Sequence, residues 1–430
     1  MEQAAGESDS SSFRTHDSFT DSKIRDTLCS LKLNDSQLNA VLDCLSASQE
    51  YQKDSTIKLI WGPPGTGKTS TISTMLWALL IKKRRTLSCA PTNTAITEIT
   101  SRLLKLVREF SSDDWSLGDL VLIGNKNRMK IDDNLSGVFL DDRVDRLLKC
   151  FAPLTGWRSC LHSMMYLLEN AVSKYEMYLE RIEEEEEQRR KQKEEEEQRR
   201  KEKEKKKEEK KEEPLIKMTL KEFLSKEFFL LAMNLNISIK TLSEDLPKAF
   251  ISDENFKNMN LLMELLNVIG SLLKSEDVTD QILDELFRTT VDEDINIFLF
   301  MEFLRIRDDM TKKIKLRRTR SFCIQVIRAL SRNLHLPDIF SRHSIQEFCL
   351  QKAILIFCTS SSSFRLHHVE MEKPLEILVV DEAAQLKECE CLIPLQLPRI
   401  QHAIFIGDEH QLPALVKSQV HIQTLVIFIF

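Results

Sequence analysis

The sequence predicts an α/β domain with a parallel sheet, interrupted by a large, mainly helical insertion, and three observations predict it. Short apolar runs that end in small or acidic residues alternate with helical periodicity toward both ends of the chain. The long stretch between them shows helical periodicity almost alone. The first strand-like run leads directly into a glycine-rich turn and an apolar helix, the punctuation of α/β proteins.

Taken in order, residues 1–30 are rich in Ser, Asp and Thr without periodicity and read as a flexible leader. Asn34 or Asp35 can cap a helix whose Leu38, Val41, Leu42 and Leu45 share one face. A strand is expected at Ile57–Trp61, then a helix over Lys68–Ile81. A second strand at Thr86–Ala90, a turn at Pro91–Thr94 and a helix to about Val107 repeat the theme, so residues 31–110 form the first part of the α/β domain. Residues 111–350 read as the insertion, with one short strand near Leu120–Gly124 and a capping box in which Thr219 stands three residues before Glu222. Strands at Ala353–Thr359, Glu376–Glu382 and His402–Asp408 return the chain to the α/β rhythm over residues 351–418. Residues 419–430 form an apolar tail whose last six residues, Leu425–Phe430, have the composition of a sticky edge strand.

Within the insertion, Leu161, Met164, Leu168, Val172, Tyr175, Leu179 and Ile182 recur at helical spacing and lead into residues 180–213. That run holds 16 Glu and 14 Lys or Arg in 34 positions, either one long water-exposed helix held by i,i+4 pairs or a charged linker. As a helix it offers a surface for protein partners.

Composition removes several classes. With 42% hydrophobic residues in 430, the chain can fill at least one sizeable core, so it is not wholly disordered. A net charge of −6 argues against a globally basic nucleic-acid binder, and any such binding must use a local surface. Ten unevenly spaced cysteines without a CxxC pair suggest neither a disulfide framework nor a common zinc module. No stretch reaches 18 uninterrupted apolar residues, and the acidic, serine-rich start is unlike a signal peptide, so no membrane association is expected.

The chemistry sits in three strand-end motifs. GPPGTGKT, from Gly62 through Pro63, Pro64, Gly65, Thr66, Gly67 and Lys68 to Thr69, fits G-x-x-x-x-G-K-[ST] in the strand-to-helix setting this phosphate-binding loop needs. Lys68 is expected to reach the β- and γ-phosphates of ATP, and Thr69 to ligate Mg²⁺. In VVDEAAQ, Asp381 is expected to hold Mg²⁺ and Glu382 to take a proton from water. In GDEHQLP, Gln411 is a neutral donor suited to sensing the γ-phosphate. KKIKLRRTR, residues 312–320, reads as a solvated helix end more readily than as a phosphate-contacting or nuclear-import segment.

The order of these motifs resembles the helicases of superfamily one. LNDSQLNAV matches their upstream glutamine motif, which implies Gln37 on the adenine, and CAPTNTAITEI matches their single-strand-contacting motif, which implies contacts from Pro91, Thr92 and Asn93. LIFCTSSSSFRLHHV with EILVVDEAAQLKECECLIPLQLP is similar to the senataxin-type branch, and within it to the plant magatama-type helicases; Thr359 and Ser360 are then further candidate contacts to the strand. The resemblance covers residues 31–110 and 350 to about 418. It implies a RecA-like P-loop domain, ATP and Mg²⁺ as cofactors, single-stranded RNA or DNA as partner, 5′-to-3′ movement with unwinding, and a nuclear or nucleo-cytoplasmic location. Such motors close ATP between two RecA-like domains, and this sequence carries the motifs of the first. The competing reading is a non-catalytic nucleotide- or nucleic-acid-binding protein that acts as a competitor or a partner-binding module.

Overall fold

A computed structural model describes residues 22, 24–47, 55–110, 115–201, 217–289 and 311–410. Gln411, the apolar tail and residues 202–213 of the charged run lie outside the described residues. The chain divides into two compact units, one of Met1–Lys149, Thr241–Phe250 and Asp338–Phe430, the other of Cys150–Lys240 and Ile251–Pro337.

The first unit is built on six parallel strands, β1 (Thr56–Trp61), β2 (Thr86–Ala90), β3 (Leu120–Leu122), β4 (Leu355–Thr359), β5 (Ile377–Val380) and β6 (His402–Gly407), in the order β1-β6-β5-β2-β4-β3. Central strands of a parallel sheet are covered on both faces and read as continuous apolar runs. Accordingly β2 and β5 are buried at every position, whereas edge strand β1 alternates and leaves Ile57, Leu59 and Trp61 exposed. Helices α1 (Asp35–Ala47), α2 (Lys68–Ile81) and α3 (Asn93–Glu109) supply Val41, Ile72, Met75, Leu76, Ile96 and Leu103 to the same core as strand residues Phe357, Val379 and Ile406. The α/β fold class with a parallel sheet and a helical insertion is therefore the one the sequence predicts.

Two boundaries differ from the sequence reading. Residues 24–30, placed in the leader, are helical, and Ile24 and Leu28 are buried in the sheet unit's core. A helix this short carries too few apolar positions to show a period against its polar neighbours. Residues 115–149, 241–250 and 338–350, placed in the insertion, belong to the sheet unit. β3 pairs with β4, and buried Arg143 donates to the carbonyls of Leu117 and Gly137 at 2.6 and 3.0 Å. Arg146 grips Asp245 through two 2.7 Å bonds. The turn at Gly118 lies so close to the backbone of Leu246 and Pro247 that an added Cβ would fall 2.1 Å from Leu246 C. These long-range contacts leave no local periodicity to read.

The second unit is helical over its described residues. The helix α4 (Trp157–Lys201) carries non-helical backbone at Asn170 and continues into the charged run, where Glu187 pairs with Lys191 at 2.8 Å. The helix Leu220–Asp245 starts with the expected box: Thr219 N–H donates to Glu222 Oε2 at 2.9 Å, and Glu222 N–H to Thr219 Oγ1 at 3.3 Å. The basic run 312–320 is partly engaged by its own unit. Lys312 meets Asp277, Lys313 meets Glu285 at 2.6 Å, and Arg320 is buried, donating to the carbonyls of Leu168 and Leu286 at 2.7 and 2.8 Å.

Candidate nucleotide and nucleic-acid site

Strand order decides which motifs meet. β6 lies between β1 and β5, so Gly62, Gly407 and Asp381 emerge side by side at the carboxyl edge of the sheet. Ligands of open α/β sheets bind outside this edge. Gly62 N–H donates to Gly407 O at 3.2 Å, joining the phosphate-binding loop to β6. Gly407 in turn faces the turn after β5, where an added Cβ would lie 3.2 Å from Ala384 N.

The loop itself is shaped by glycine and by short internal bonds. Gly65 and Gly67 adopt φ of +79° and +84°, the left-handed region that side chains disfavour. Thr66 closes the turn by donating from Oγ1 to Pro63 O at 2.8 Å, and Lys68 Nζ donates to Gly62 O at 2.7 Å. Pro63 and Pro64 carry no N–H. Lys68 and Thr69 open α2, so their N–H groups have no acceptor a turn earlier in the helix.

Gln37 is tied to this loop. Its Nε2 donates to Thr66 O at 2.9 Å, and its Oε1 accepts from Asn34 N–H at 3.0 Å in the box that caps α1. A Cβ at Gly67 would sit 2.5 Å from Gln37 Nε2, so glycine is needed here for closeness as well as for φ.

Asp381 is 4% exposed at the tip of β5, and its Oδ1 accepts from Glu382 N–H at 2.9 Å. Burial, together with the neighbouring Glu382 charge, pushes its pKa up to about 6, while the Lys68 ammonium acts in the opposite direction. Glu382 adopts φ +50°, which turns its side chain away from the strand line, and Oε2 accepts from Gln385 Nε2 at 3.1 Å. Asp408, to which the sequence reading gives no role, is 3% exposed at the tip of β6, with Oδ1 accepting from His410 N–H at 3.0 Å. Its signal was its place in GDEHQLP.

The residues present fit a magnesium-bound nucleoside triphosphate: a glycine loop with free helix-start amides, one ammonium, a hydroxyl on Thr69 and a buried carboxylate form the matching donor set. Gln411 lies outside the described residues, and no cluster of three or more His, Cys, Asp or Glu suited to a metal occurs among the described residues. No helix among them is long and apolar enough to cross a membrane.

The candidate strand contacts gather on the next two strands. β2 and β4 pair with Ala90 opposite Thr359, so the Pro91–Asn93 turn and Thr359–Ser360 share the same edge. Thr92 caps α3 by accepting from Ala95 N–H at 3.2 Å, and Asn93 is that helix's first residue. Thr359 Oγ1 and Ser362 Oγ are hydrogen-bonded at 2.7 Å. Ser360 is 1% exposed, so neither its hydroxyl nor its backbone stands at the surface, and the strand contact expected of it lacks an accessible group.

The AAA domain family matches residues 32–419. Among similar proteins are the ATP-dependent helicase NAM7 of Saccharomyces cerevisiae, 38% identical over 113 residues, which are 23% of this chain and 11% of that protein. The probable helicase senataxin of Mus musculus is 27% identical over 157 residues, 32% of this chain and 6% of that protein. The probable helicase MAGATAMA 3 of Arabidopsis thaliana is 36% identical over 77 residues, 18% of this chain and 9% of that protein. The matched segments thus span about a tenth or less of these relatives. With a parallel sheet, a P-loop at the tip of its edge strand and a family match over most of its length, this chain belongs to the AAA domain family, as a RecA-like motor domain of the senataxin-like, superfamily one helicase type.

Proposed function

We propose that this chain is the ATP-binding first half of an ATP-dependent helicase motor, which couples hydrolysis to 5′-to-3′ movement on single-stranded RNA or DNA and to unwinding. The observation that carries this reading is the convergence of the three strand-end motifs on adjacent strands β1, β6 and β5, with the candidate strand contacts on the neighbouring pair β2 and β4. Nucleotide and single strand would then share one sheet edge, so closure around one can shift the other.

In this reading the Gly62–Thr69 backbone wraps the phosphates, and Lys68 exchanges its bond to Gly62 O for the β- and γ-phosphate oxygens. Thr69 and Asp381 hold Mg²⁺, which when bound neutralises phosphate charge. Glu382 accepts a proton from the attacking water, in an orientation steadied by Gln385. Gln37 positions the loop crest through Thr66 and presents its remaining N–H toward the adenine. Gln411 follows His410 and is assigned to γ-phosphate sensing as a neutral donor in GDEHQLP. A nuclear or nucleo-cytoplasmic location is proposed from the resemblance.

A second reading is favoured by one feature, the 45-residue helix Trp157–Lys201, whose charged side chains are mostly water-exposed over residues 183–195. It suits a partner-binding module that binds nucleotide or nucleic acid without turnover. ATP hydrolysis by the purified chain, measured with and without single-stranded RNA or DNA, separates the two. Stimulation that is lost in Glu382→Gln supports the motor; a flat response supports the binding module.

A further inference from the structure

Directly after β4 the chain forms a nine-residue 3-10 helix, Ser360–His368. Runs this long are uncommon, and in them side chains three apart eclipse. Ser360, Ser363 and Leu366 form its buried ridge. Ser361, Phe364 and His367 therefore form a second ridge, and all three are exposed. Phe364 is 54% exposed, a large apolar ring held out in water, with exposed Arg365 and His368 on the adjoining ridge.

The element carrying this ring is held by its buried ridge, by one bond within its first turn and by one to the chain beyond it. Ser363 Oγ donates to Ser360 O at 2.6 Å near its start, and His367 Nε2 is hydrogen-bonded to Ile393 O at 2.9 Å near its end. Phe364 follows Thr359 by five residues, about 10 Å at roughly 2 Å per residue. A single strand crossing the tips of β2 and β4 reaches that far within a few nucleotides.

We infer that Phe364 is a stacking platform for an unpaired base, with Arg365 beside it for the strand's phosphate, extending the path from Pro91–Asn93 and Thr359 along the 3-10 helix. The inference rests on the single-strand reading above and adds a preference to it. An aromatic face accepts any base but only an unpaired one, so this contact favours single strand over duplex without favouring a sequence. Phe364 lies outside the buried ridge of Ser360, Ser363 and Leu366 that seats the helix.

The test is fluorescence anisotropy of a labelled oligothymidylate of about a dozen nucleotides, and of an abasic strand of equal length, with the parent chain, Phe364→Ala and Phe364→Trp. Stacking is expected to make Phe364→Ala bind oligothymidylate roughly 5- to 100-fold more weakly. Phe364→Trp should restore binding, and the abasic strand should not distinguish the three chains. Equal binding of oligothymidylate by parent and Phe364→Ala overturns the inference, as does an equal loss on the abasic strand, which would mark a backbone or folding effect. If the parent binds neither strand, the single-strand reading itself fails, an outcome distinct from the other two.

Discussion

The side-chain amide of Gln37 joins the cap of α1 to the crest of the phosphate-binding loop, accepting from Asn34 N–H at 3.0 Å and donating to Thr66 O at 2.9 Å. One residue thus serves a helix cap and a loop, and the two roles use different atoms. Gln37→Glu keeps the accepting oxygen for the cap and replaces the donor with a charge facing a carbonyl. Thermal stability should change by less than about 1 kcal/mol, while ATP affinity falls several-fold. Differential scanning fluorimetry with and without ATP reads both; an unchanged ATP response would mean that the Thr66 contact does not matter to the site.

Glu382→Gln should bind ATP as the parent does and lose any hydrolysis the parent shows, since an amide keeps the bond from Gln385 but cannot accept a proton. Single-turnover hydrolysis beside equilibrium binding checks it. A variant that hydrolyses at the parent's rate removes Glu382 from the chemistry.

Asp381 has a folded-state pKa near 6, above its ordinary value of 3.8, because burial and Glu382 disfavour its charge. A carboxyl raised in this way binds its proton more tightly when folded, so its contribution is favourable at low pH. That contribution is lost as pH rises from about 4 through 6. Asp381→Asn should therefore be more stable than the parent at pH 7, by roughly 1–3 kcal/mol, with the gain fading toward pH 4. Thermal melts at both pH values test the sign; a variant less stable at pH 7 would contradict it.

Gly118→Ala should destabilise the sheet unit by roughly 1–3 kcal/mol or more, because its Cβ would fall 2.1 Å from the backbone of Leu246, which cannot move without disturbing the neighbouring Arg146–Asp245 pair. Urea denaturation followed by tryptophan fluorescence measures it. A midpoint within error of the parent would mean that residues 241–250 do not dock against this turn in solution.

The strands and the loop were legible because their signals are local. β1, β2, β4, β5 and β6 each appear as an apolar run ending in a motif, and the helix expected at Lys68–Ile81 has those ends in the structure. Strand order was not legible, since nothing within HAIFIGD tells that β6 inserts between β1 and β5. The insertion's edges were hidden for the same reason. Arg143, Arg146 and Asp245 look like ordinary surface charges in sequence, and only their partners about a hundred residues apart reveal a buried network. The run 312–320 shows the reverse, a conspicuous sequence signal of which Asp277 and Glu285 engage the first two lysines.

The central claim is that Gly62–Thr69 holds the phosphates of ATP with Lys68 as its cation. Isothermal titration calorimetry of Mg²⁺–ATP into the parent chain and into Lys68→Ala tests it most directly. Saturable one-site binding by the parent, weakened at least tenfold in Lys68→Ala with the thermal melt unchanged, is the predicted result. Equal affinity in the two chains, or no binding by a folded parent, would contradict it.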